Sequence, residues 1–255
     1  MSETNHVIVI GAGAAGMLAA IAAAREGAAV ELWEQNEKPG KKLFITGKGR
    51  CNVTNACDME ELLGSVVSNS KFLYSSFYGF TNQDMMDLLE QAGLRLKVER
   101  GNRVFPQSDK SSDVISALSA LLRQAGVRVC LNQKAEGLAV EEGVCKGVRC
   151  GGRIQTADRV IVATGGLSYP TTGSTGDGLK WAADSGHRLT ELSPALVPFE
   201  VKETETVKEL QGLSLKNIEA AVYDGKKELY REFGEMLFTH FGVSGPRSEE
   251  HTSEL

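Results

Sequence analysis

A glycine-rich turn between a predicted strand and a predicted helix constrains this chain more than any other feature. Residues 7–16 read V-I-V-I-G-A-G-A-A-G. The four β-branched residues predict a short buried strand, and Gly11, Gly13 and Gly16 have the G-x-G-x-x-G spacing. The first glycine lets the chain turn sharply, the second lets a pyrophosphate approach the backbone, and the third lets the following helix pack closely on the sheet. The N–H groups of that Ala-rich helix would then point at the phosphates.

An acidic residue after the next predicted strand extends this pattern. The segment Ala29–Leu32 predicts a second strand, and Glu34 follows the glycine turn by about 20 residues, where a carboxylate accepts hydrogen bonds from ribose hydroxyls. The alternative is a glycine-rich turn that binds nothing, and the register of strand, helix and acid argues against it. The predicted dinucleotide-binding residues of this half are Gly11, Ala12, Gly13, Ala14, Ala15, Gly16 and Glu34.

A second strand-and-turn segment is suited to the other half of such a site. Residues 160–166 read V-I-V-A-T-G-G, and their small residues let the backbone approach a dinucleotide. A T-G-D-G sequence at 175–178 then leads into a predicted helix over 179–185. A plain strand–turn–helix with an Asp cap is the alternative interpretation. The predicted binding residues here are Ala163, Thr164, Gly165, Gly166, Thr175, Gly176 and Asp177.

The order of the predicted elements indicates an α/β fold. Residues 137–156 predict short strands with glycine turns, most simply a β-meander, which separates the two half-sites. After about Glu191 the pattern changes to strands over 199–202, 218–223 and 227–231. We therefore predict a Rossmann-like domain with a β-meander crossover over 1–190 and the start of a β-rich domain over 191–246.

Composition excludes several classes of protein. The chain has 255 residues and a formal net charge of −5, which argues against nucleic acid and anionic membranes as partners. The polar start and the lack of a long apolar stretch predict neither a signal peptide nor a membrane span, and indicate a cytoplasmic protein. The five cysteines show no C-x-x-C pair, so no metal site is expected. The oligomeric state stays open.

The cofactor predicted from these features is FAD. A β-meander between the one G-x-G-x-x-G turn and an A-T-G-G strand is the arrangement of two-dinucleotide-domain flavoproteins, whereas a nicotinamide-only dehydrogenase would need catalytic residues in a following domain. Glu34 also disfavours NADP at this turn, because a carboxylate repels a 2′-phosphate.

Several longer stretches resemble the BaiN-like (YhiN-type) bacterial NAD(P)/FAD-dependent oxidoreductases. These are G-A-G-A-A-G (11–16), T-G-K-G-R-C-N-V-T-N (46–55), N-R-V-F-P-Q-S-D-K-S-S-D-V (102–114), A-T-G-G-L-S-Y-P-T-T-G-S-T-G-D-G (163–178) and G-E-M-L-F-T-H-F-G-V-S-G-P (234–246). The resemblance implies FAD binding at the glycine turn, Glu34 and the Ala163–Gly166 turn, and an inserted β-rich domain beginning near Glu191. It also implies flavin-mediated reduction of a conjugated C=C bond, including steroid-type enones.

The end of the chain departs from that family. Family members continue well past the S-G-P motif, whereas here Pro246 is followed by R-S-E-E-H-T-S-E-L. These nine residues resemble a translated sequencing adapter. We therefore expect residues 247–255 to be a non-native tail on a truncated fragment, and a genomic reading frame encoding them would contradict this.

The polar loop around residues 41–52 carries further candidates. Its glycines permit close backbone approach, and its cations would neutralise a pyrophosphate or orient an anionic flavin. A solvated lysine loop is the alternative. The resemblance, more than the spacing, assigns cofactor contacts to Lys42, Gly49, Arg50, Cys51 and Asn52. For Cys51, a small packed residue is favoured over a redox role.

Two residues are candidate acids for catalysis. Tyr169 follows the Gly-Gly turn and would donate a proton to an enolate-like product, or would simply pack against Pro170. His240 lies between two phenylalanines, an environment more typical of a hydrogen-bonded core histidine. The predicted reaction passes hydride from NAD(P)H through the flavin to an electron-poor C=C bond of a small molecule. The alternatives are a flavin oxidase of a small amine, and a non-catalytic FAD-binding protein or inactive fragment.

Overall fold

The computed structural model describes residues 4–194 and 197–245. The chain divides into two compact units, Met1–Leu189 and Thr190–Leu255. Pro246, at the end of the predicted second domain, and the predicted tail over 247–255 lie outside the described residues.

The first unit contains both strands and helices. Its strands are β1 (His6–Ile10), β2 (Ala29–Trp33), β3 (Thr54–Asn55), β4 (Leu96–Glu99), β5 (Arg103–Pro106), β6 (Arg128–Cys130), β7 (Gly137–Glu141), β8 (Val144–Cys150), β9 (Arg153–Thr156) and β10 (Arg159–Val162). Its helices are α1 (Ala14–Arg25), α2 (Lys41–Ile45), α3 (Met59–Gly64), α4 (Ser70–Gly79), α5 (Asn82–Gln91), α6 (Ser111–Gln124) and α7 (Asp177–Asp184). Short 3-10 turns cover Thr46–Gly49, Arg100–Asn102 and Pro170–Thr172.

A parallel sheet with the strand order β10-β1-β2-β6 forms the centre of this unit. Val7 and Val9 of β1 face the apolar side of α1 and α6, whereas Ile8 and Ile10 pack with Trp33, Val148 and Trp181 on the other side. Both faces of β1 are therefore buried, which explains its uninterrupted β-branched sequence. The observed arrangement confirms the predicted α/β, Rossmann-like fold.

The predicted β-meander is confirmed as a three-stranded antiparallel sheet. It has the order β7-β8-β9 and joins β6 to β10 along the chain. Val148 of β8 is completely buried against the residues of the parallel sheet. The meander thus covers one face of the central sheet before the chain returns to it beside β1.

The polar segment between β2 and α3 is more ordered than its sequence pattern indicates. It contains α2, a 3-10 turn and β3, and β3 pairs with β5, which forms an antiparallel hairpin with β4. Gly47, Lys48 and Cys51 have positive φ angles of 58°, 55° and 60°. Such left-handed residues reverse the chain tightly and leave no apolar periodicity in the sequence.

The second unit contains a four-stranded antiparallel sheet. Its elements are β11 (Phe199–Glu200), α8 (Thr204–Glu209), β12 (Ser214–Asp224), β13 (Lys227–Phe238) and β14 (Gly242–Ser244), with the strand order β11-β14-β13-β12. The strands β12 and β13 extend beyond the predicted segments, and α8 was not predicted. In the part of the chain that the structure describes, every helix is too short or too polar to cross a bilayer.

Candidate dinucleotide site

The two half-sites predicted from the sequence lie side by side at the carboxyl ends of the parallel strands. The backbone N–H of Gly11 donates to the carbonyl of Trp33 at 2.8 Å, and that of Ala163 donates to the carbonyl of Ile10 at 2.8 Å. The turn after β1 is therefore fixed to the ends of both neighbouring strands. Open α/β sheets bind their ligands at this edge.

The three glycines of the turn have different surroundings. A Cβ on Gly11, whose φ is +101°, would lie 2.5 Å from the carbonyl oxygen of Ala163, and one on Gly16 would lie 1.7 Å from that of Gly11. A Cβ on Gly13 would meet nothing within 4 Å. Gly11 and Gly16 thus serve internal packing, whereas the space above Gly13 is open to a ligand.

The N-terminus of α1 has the properties of an anion site. Gly13 is the N-cap residue and provides no side chain to cap the helix, and the first turn contains no acidic residue. Ala14 and Ala15 are exposed. The first N–H groups of a helix have no partner within the helix and carry the positive end of its dipole. The turn therefore fits the pyrophosphate of a dinucleotide.

The predicted acid lies beside the glycine turn. Glu34 is 8% exposed, and its carboxylate accepts hydrogen bonds from Ala12 N at 2.8 Å, Asn36 N at 2.9 Å and Asn36 Nδ2 at 2.6 Å. These donors stabilise a buried charge that would otherwise be unfavourable. A carboxylate has about four acceptor positions, so capacity remains for a ribose hydroxyl.

The second half-site is internally connected. The hydroxyl of Thr164 accepts from Gly178 N at 3.1 Å, so it caps α7, and Gly176 N donates to the carbonyl of Gly166 at 3.1 Å. The hydroxyl of Thr175 donates to the carboxylate of Asp177 at 2.9 Å. A Cβ on Gly165, whose φ is +79°, would lie 2.6 Å from the hydroxyl of Ser174. The side chain of Thr164 and the backbone of Gly166 therefore connect the turn after β10 to the start of α7, and the predicted residues of this half lie together.

The side chain of Lys42 connects α2 to the turn that follows β10. Its ammonium donates to the carbonyl of Ser168 at 2.6 Å and lies 6.0 Å from the centre of the Tyr169 ring. Tyr169 is half-buried and has a left-handed backbone, with φ of 57° and ψ of 59°. These contacts place both predicted residues beside the second half-site, and their functional roles stay predictions.

The guanidinium of Arg50 contacts side chains of the β4–β5 hairpin and of the loop that follows it. It donates to Asp109 at 2.5 Å and to Glu99 at 2.6 Å, and it stacks 4.1 Å from the centre of the Phe105 ring. Lys97 completes the cluster at 2.6 Å from Asp109. Hydrogen bonds from Lys97 and Arg50 lower the pKa of the Asp109 carboxyl group, and one from Arg50 lowers the pKa of Glu99. The contacts observed for Arg50 therefore anchor its loop.

The remaining predicted residues of this loop differ in accessibility. Cys51 is 1% exposed, and burial raises the pKa of its thiol, which suits a packed residue rather than a reactive one. Asn52 is exposed, and its amide nitrogen can donate to the carbonyls of Val104 at 3.2 Å and Thr54 at 3.0 Å. A Cβ on Gly49 would meet nothing within 4 Å, so its backbone is open to a ligand.

His240 belongs to the second unit. It is exposed in the turn between β13 and β14, and its ring meets that of Phe241 edge-on at 4.8 Å between centres. Its catalytic role stays a prediction. Within residues 4–194 and 197–245, no group of three or more His, Cys, Asp or Glu residues is arranged to hold a metal ion.

Sequence reasoning missed two amide side chains that follow the acid. Gln35 Nε2 donates to the carbonyl of Gly173 at 3.0 Å, and Asn36 Nδ2 donates to the carbonyl of Thr172 at 3.1 Å as well as to Glu34. For Asn36 the available signal was its position two residues after a strand-end acid, because a short amide there can bond back to the preceding side chain. The partner of Gln35 is distant in sequence and left no local signal.

Comparison with solved structures agrees with this fold. A flavocytochrome c3 fumarate reductase matches with a TM-score of 0.58 and 24% identity, over 85% of this chain and 47% of that one. The 3-ketosteroid-delta4-(5alpha)-dehydrogenase of Rhodococcus jostii RHA1 matches with a TM-score of 0.56 and 16% identity, over 85% and 61%. At these identities the likeness concerns the fold.

Comparison with sequences identifies closer relatives. The chain is 36% identical to a 3-dehydro-bile acid delta(4,6)-reductase of Clostridium scindens, over 94% of this chain and 58% of the relative. It is 30% identical to a ribosomal RNA dihydrouridine synthase of Escherichia coli, over 96% and 59%. The chain thus spans less than two thirds of the length of these relatives. A family model described as the HI0933-like protein Rossmann domain matches residues 5–245, and the chain therefore belongs to the HI0933-like family.

Proposed function

We propose that residues 1–190 form an FAD-binding domain of an oxidoreductase, and that residues 191–246 begin an inserted β-rich domain. The observation that carries this proposal is the open space above Gly13, at the N-terminus of α1, beside the buried carboxylate of Glu34. Membership of a family whose relatives are named as a reductase and a dihydrouridine synthase supports a redox role.

Different residues of the chain would bind different parts of the cofactor. The backbone at Gly13 and the first turn of α1 would hold the pyrophosphate, because free N–H groups and the helix dipole favour an anion there. The carboxylate of Glu34 would accept from the ribose hydroxyls. The small residues 163–166 and Gly49 would allow close approach of the backbone. When bound, FAD supplies two-electron transfer between a reduced nicotinamide and an electron-poor C=C bond.

The substrate we propose is a small molecule with a C=C bond conjugated to a carbonyl group. The name of the bile acid reductase from Clostridium scindens, the relative at 36% identity, supports this class. Saturating such a bond requires a proton as well as a hydride, and Tyr169 is the candidate donor, since its phenol lies on the turn that follows β10. NAD(P)H is the proposed electron donor.

A uridine base in RNA is the second candidate substrate. Two relatives, from Escherichia coli and Haemophilus influenzae, each 30% identical, are named as ribosomal RNA dihydrouridine synthases. The C5=C6 bond of uridine is also conjugated to a carbonyl, so the same chemistry would serve both substrates. The net charge of −5 gives the chain no general affinity for the phosphate backbone, and we therefore rank this candidate second.

Cofactor binding is tested first. Titration of a purified full-length protein containing this sequence with FAD, followed by the quenching of flavin fluorescence, should saturate at one FAD per chain. The variant Glu34→Gln should bind more weakly, while Glu37→Gln, which makes the same chemical change at an exposed residue paired with Lys41, should bind like the wild type. A chain that binds no FAD would refute the proposal.

The reaction is tested on a full-length protein containing this sequence. Anaerobic addition of NADH or NADPH should bleach the flavin absorbance near 450 nm (a general flavin property), and an unsaturated 3-oxo-steroid should restore it. Restoration by a uridine-containing RNA instead would support the second candidate. Rapid reoxidation by O₂ together with bleaching by a small amine, and none by NAD(P)H, would indicate an amine oxidase.

A further inference from the structure

The amide nitrogen of Asn36 contacts both halves of the candidate site. It donates to Glu34 Oε1 at 2.6 Å and to the carbonyl oxygen of Thr172 at 3.1 Å. A primary amide has two N–H donors, so these two contacts use its full donor capacity. One side chain thus joins the acid after β2 to the turn after β10.

The turn that receives this contact is hydrogen-bonded to the backbone of Tyr169. Thr172 donates to the carbonyl of Tyr169 twice, from its backbone N at 2.9 Å and from its hydroxyl at 2.7 Å. Tyr169 has a left-handed backbone, which is unfavourable for an aromatic residue unless its surroundings hold it. The contact from Asn36 to Thr172 helps to hold it.

Gln35 provides a useful contrast. Its amide donates to the carbonyl of Gly173 at 3.0 Å, one residue further along the same turn, and none of the hydrogen bonds described for it involves Glu34. The two neighbouring amides therefore share the turn, whereas Asn36 also contacts the carboxylate.

We infer that Asn36 is a positioning residue that couples the acid of the ribose site to the turn carrying Tyr169. This inference rests on the proposed FAD site. Asn36 orients the Glu34 carboxylate, and a ribose hydroxyl would donate to a remaining acceptor position of the same group. Binding there therefore changes the hydrogen bond between the amide of Asn36 and the carboxylate. Because the second N–H of that amide holds Thr172, the change reaches the backbone of Tyr169.

Hydrogen exchange of the turn tests the structural part of this inference. Without cofactor, the amides of Thr172 and Gly173 should exchange about tenfold faster in Asn36→Ala than in the wild type, because a hydrogen bond to the turn is lost. Asn36→Asp should do the same, since it keeps the shape but replaces the donor with an acceptor. Unchanged exchange in both variants, each with a normal thermal melt, would overturn the inference.

Titration with FAD tests the coupling. We expect Asn36→Ala to weaken FAD binding about tenfold, as loss of a hydrogen bond to a charged group does. Gln35→Ala removes a hydrogen bond to the same turn but keeps the contacts of Glu34, so this variant should weaken FAD binding less. Equal losses in the two variants would overturn the inference, because the effect would then arise from the turn alone.

The response of the turn to FAD separates this inference from the proposed function. In the wild type, saturating FAD should change the exchange of the amides of Tyr169 and of residues 171–173. In Asn36→Ala, at saturating FAD, that change should be absent. A change that persists in the variant would overturn the coupling. A wild-type chain that binds no FAD would refute the proposed function, while exchange without cofactor would still decide whether Asn36 holds the turn.

Discussion

Alanine substitutions at Gly16 and Gly13 of the first turn should have different effects, the first on the stability of the fold and the second on cofactor binding. In Gly16→Ala the new methyl group would lie 1.7 Å from the carbonyl oxygen of Gly11, about half of a normal contact distance. The neighbour is backbone, so α1 must move away from the sheet. Overpacking of this kind destabilises by about 3 kcal/mol, and the higher helix propensity of alanine returns at most about 1 kcal/mol.

The net destabilisation of about 2 kcal/mol should lower the melting temperature of a unit of this size by about 4–8 °C. Gly13→Ala should behave differently, because its backbone has φ of −78° and ψ of −171°, and a Cβ there meets nothing within 4 Å. Alanine is a poor N-cap residue, so we expect a loss of at most about 1 kcal/mol. The methyl group would, however, stand where the pyrophosphate must approach, and FAD should bind at least about tenfold more weakly.

The assays are thermal denaturation without cofactor, monitored by circular dichroism, and FAD titration by flavin fluorescence. Gly64→Ala is the matched control, since a Cβ at the end of α3 also meets nothing within 4 Å. It should leave the FAD affinity unchanged and should raise the melting temperature by at most about 4 °C, because alanine favours the helix. Wild-type FAD affinity in Gly13→Ala would refute the placement of the pyrophosphate. An unchanged melting temperature in Gly16→Ala would refute the packing argument.

Three further predictions concern single side chains. Glu34→Gln should lower the free energy of unfolding by about 1–3 kcal/mol in urea titrations, because the NH2 group of glutamine would face the N–H donors that now bind the carboxylate. Glu37→Gln should leave this free energy unchanged. The thiol of Cys51 should react with a disulfide reagent only after unfolding, since burial raises its pKa; fast labelling of the folded chain would contradict this. Arg50→Ala should melt below the wild type at pH 7, and because the pKa of Asp109 is lowered in the folded chain, this difference should shrink as the pH falls below about 4. A difference independent of pH between 3 and 7 would show that the ion pairs contribute nothing.

The parts of the fold that were predictable from sequence are those with a local pattern. The glycine spacing at residues 11–16 and the β-branched run before it require a strand–turn–helix, and the structure has β1 and α1 there. By contrast, the five-residue helix α2 and the two-residue strand β3 are too short to show a period, so their segment was read as a polar loop.

The roles of polar side chains were less predictable because they depend on distant partners. Arg50 in a glycine-rich loop is equally compatible with a phosphate and with a carboxylate, and only the fold shows that Asp109 and Glu99 lie within reach. Asn36 could be placed next to Glu34 from sequence, whereas its second partner, Thr172, is far along the chain. Sequence therefore predicted the candidate site, but not the side chains that connect its two halves.

The pairing of β1 with β10 has a consequence for how the chain is made. Val7 pairs with Arg159, and Gly11 packs against Ala163, so the two halves come from opposite ends of the first unit. A ribosome adding about 5–20 residues per second needs roughly 8–30 s to pass from one half to the other. During that interval β1 has a neighbour on only one side. A newly made chain would therefore acquire the complete proposed binding surface only after the last strand of the unit has left the exit tunnel.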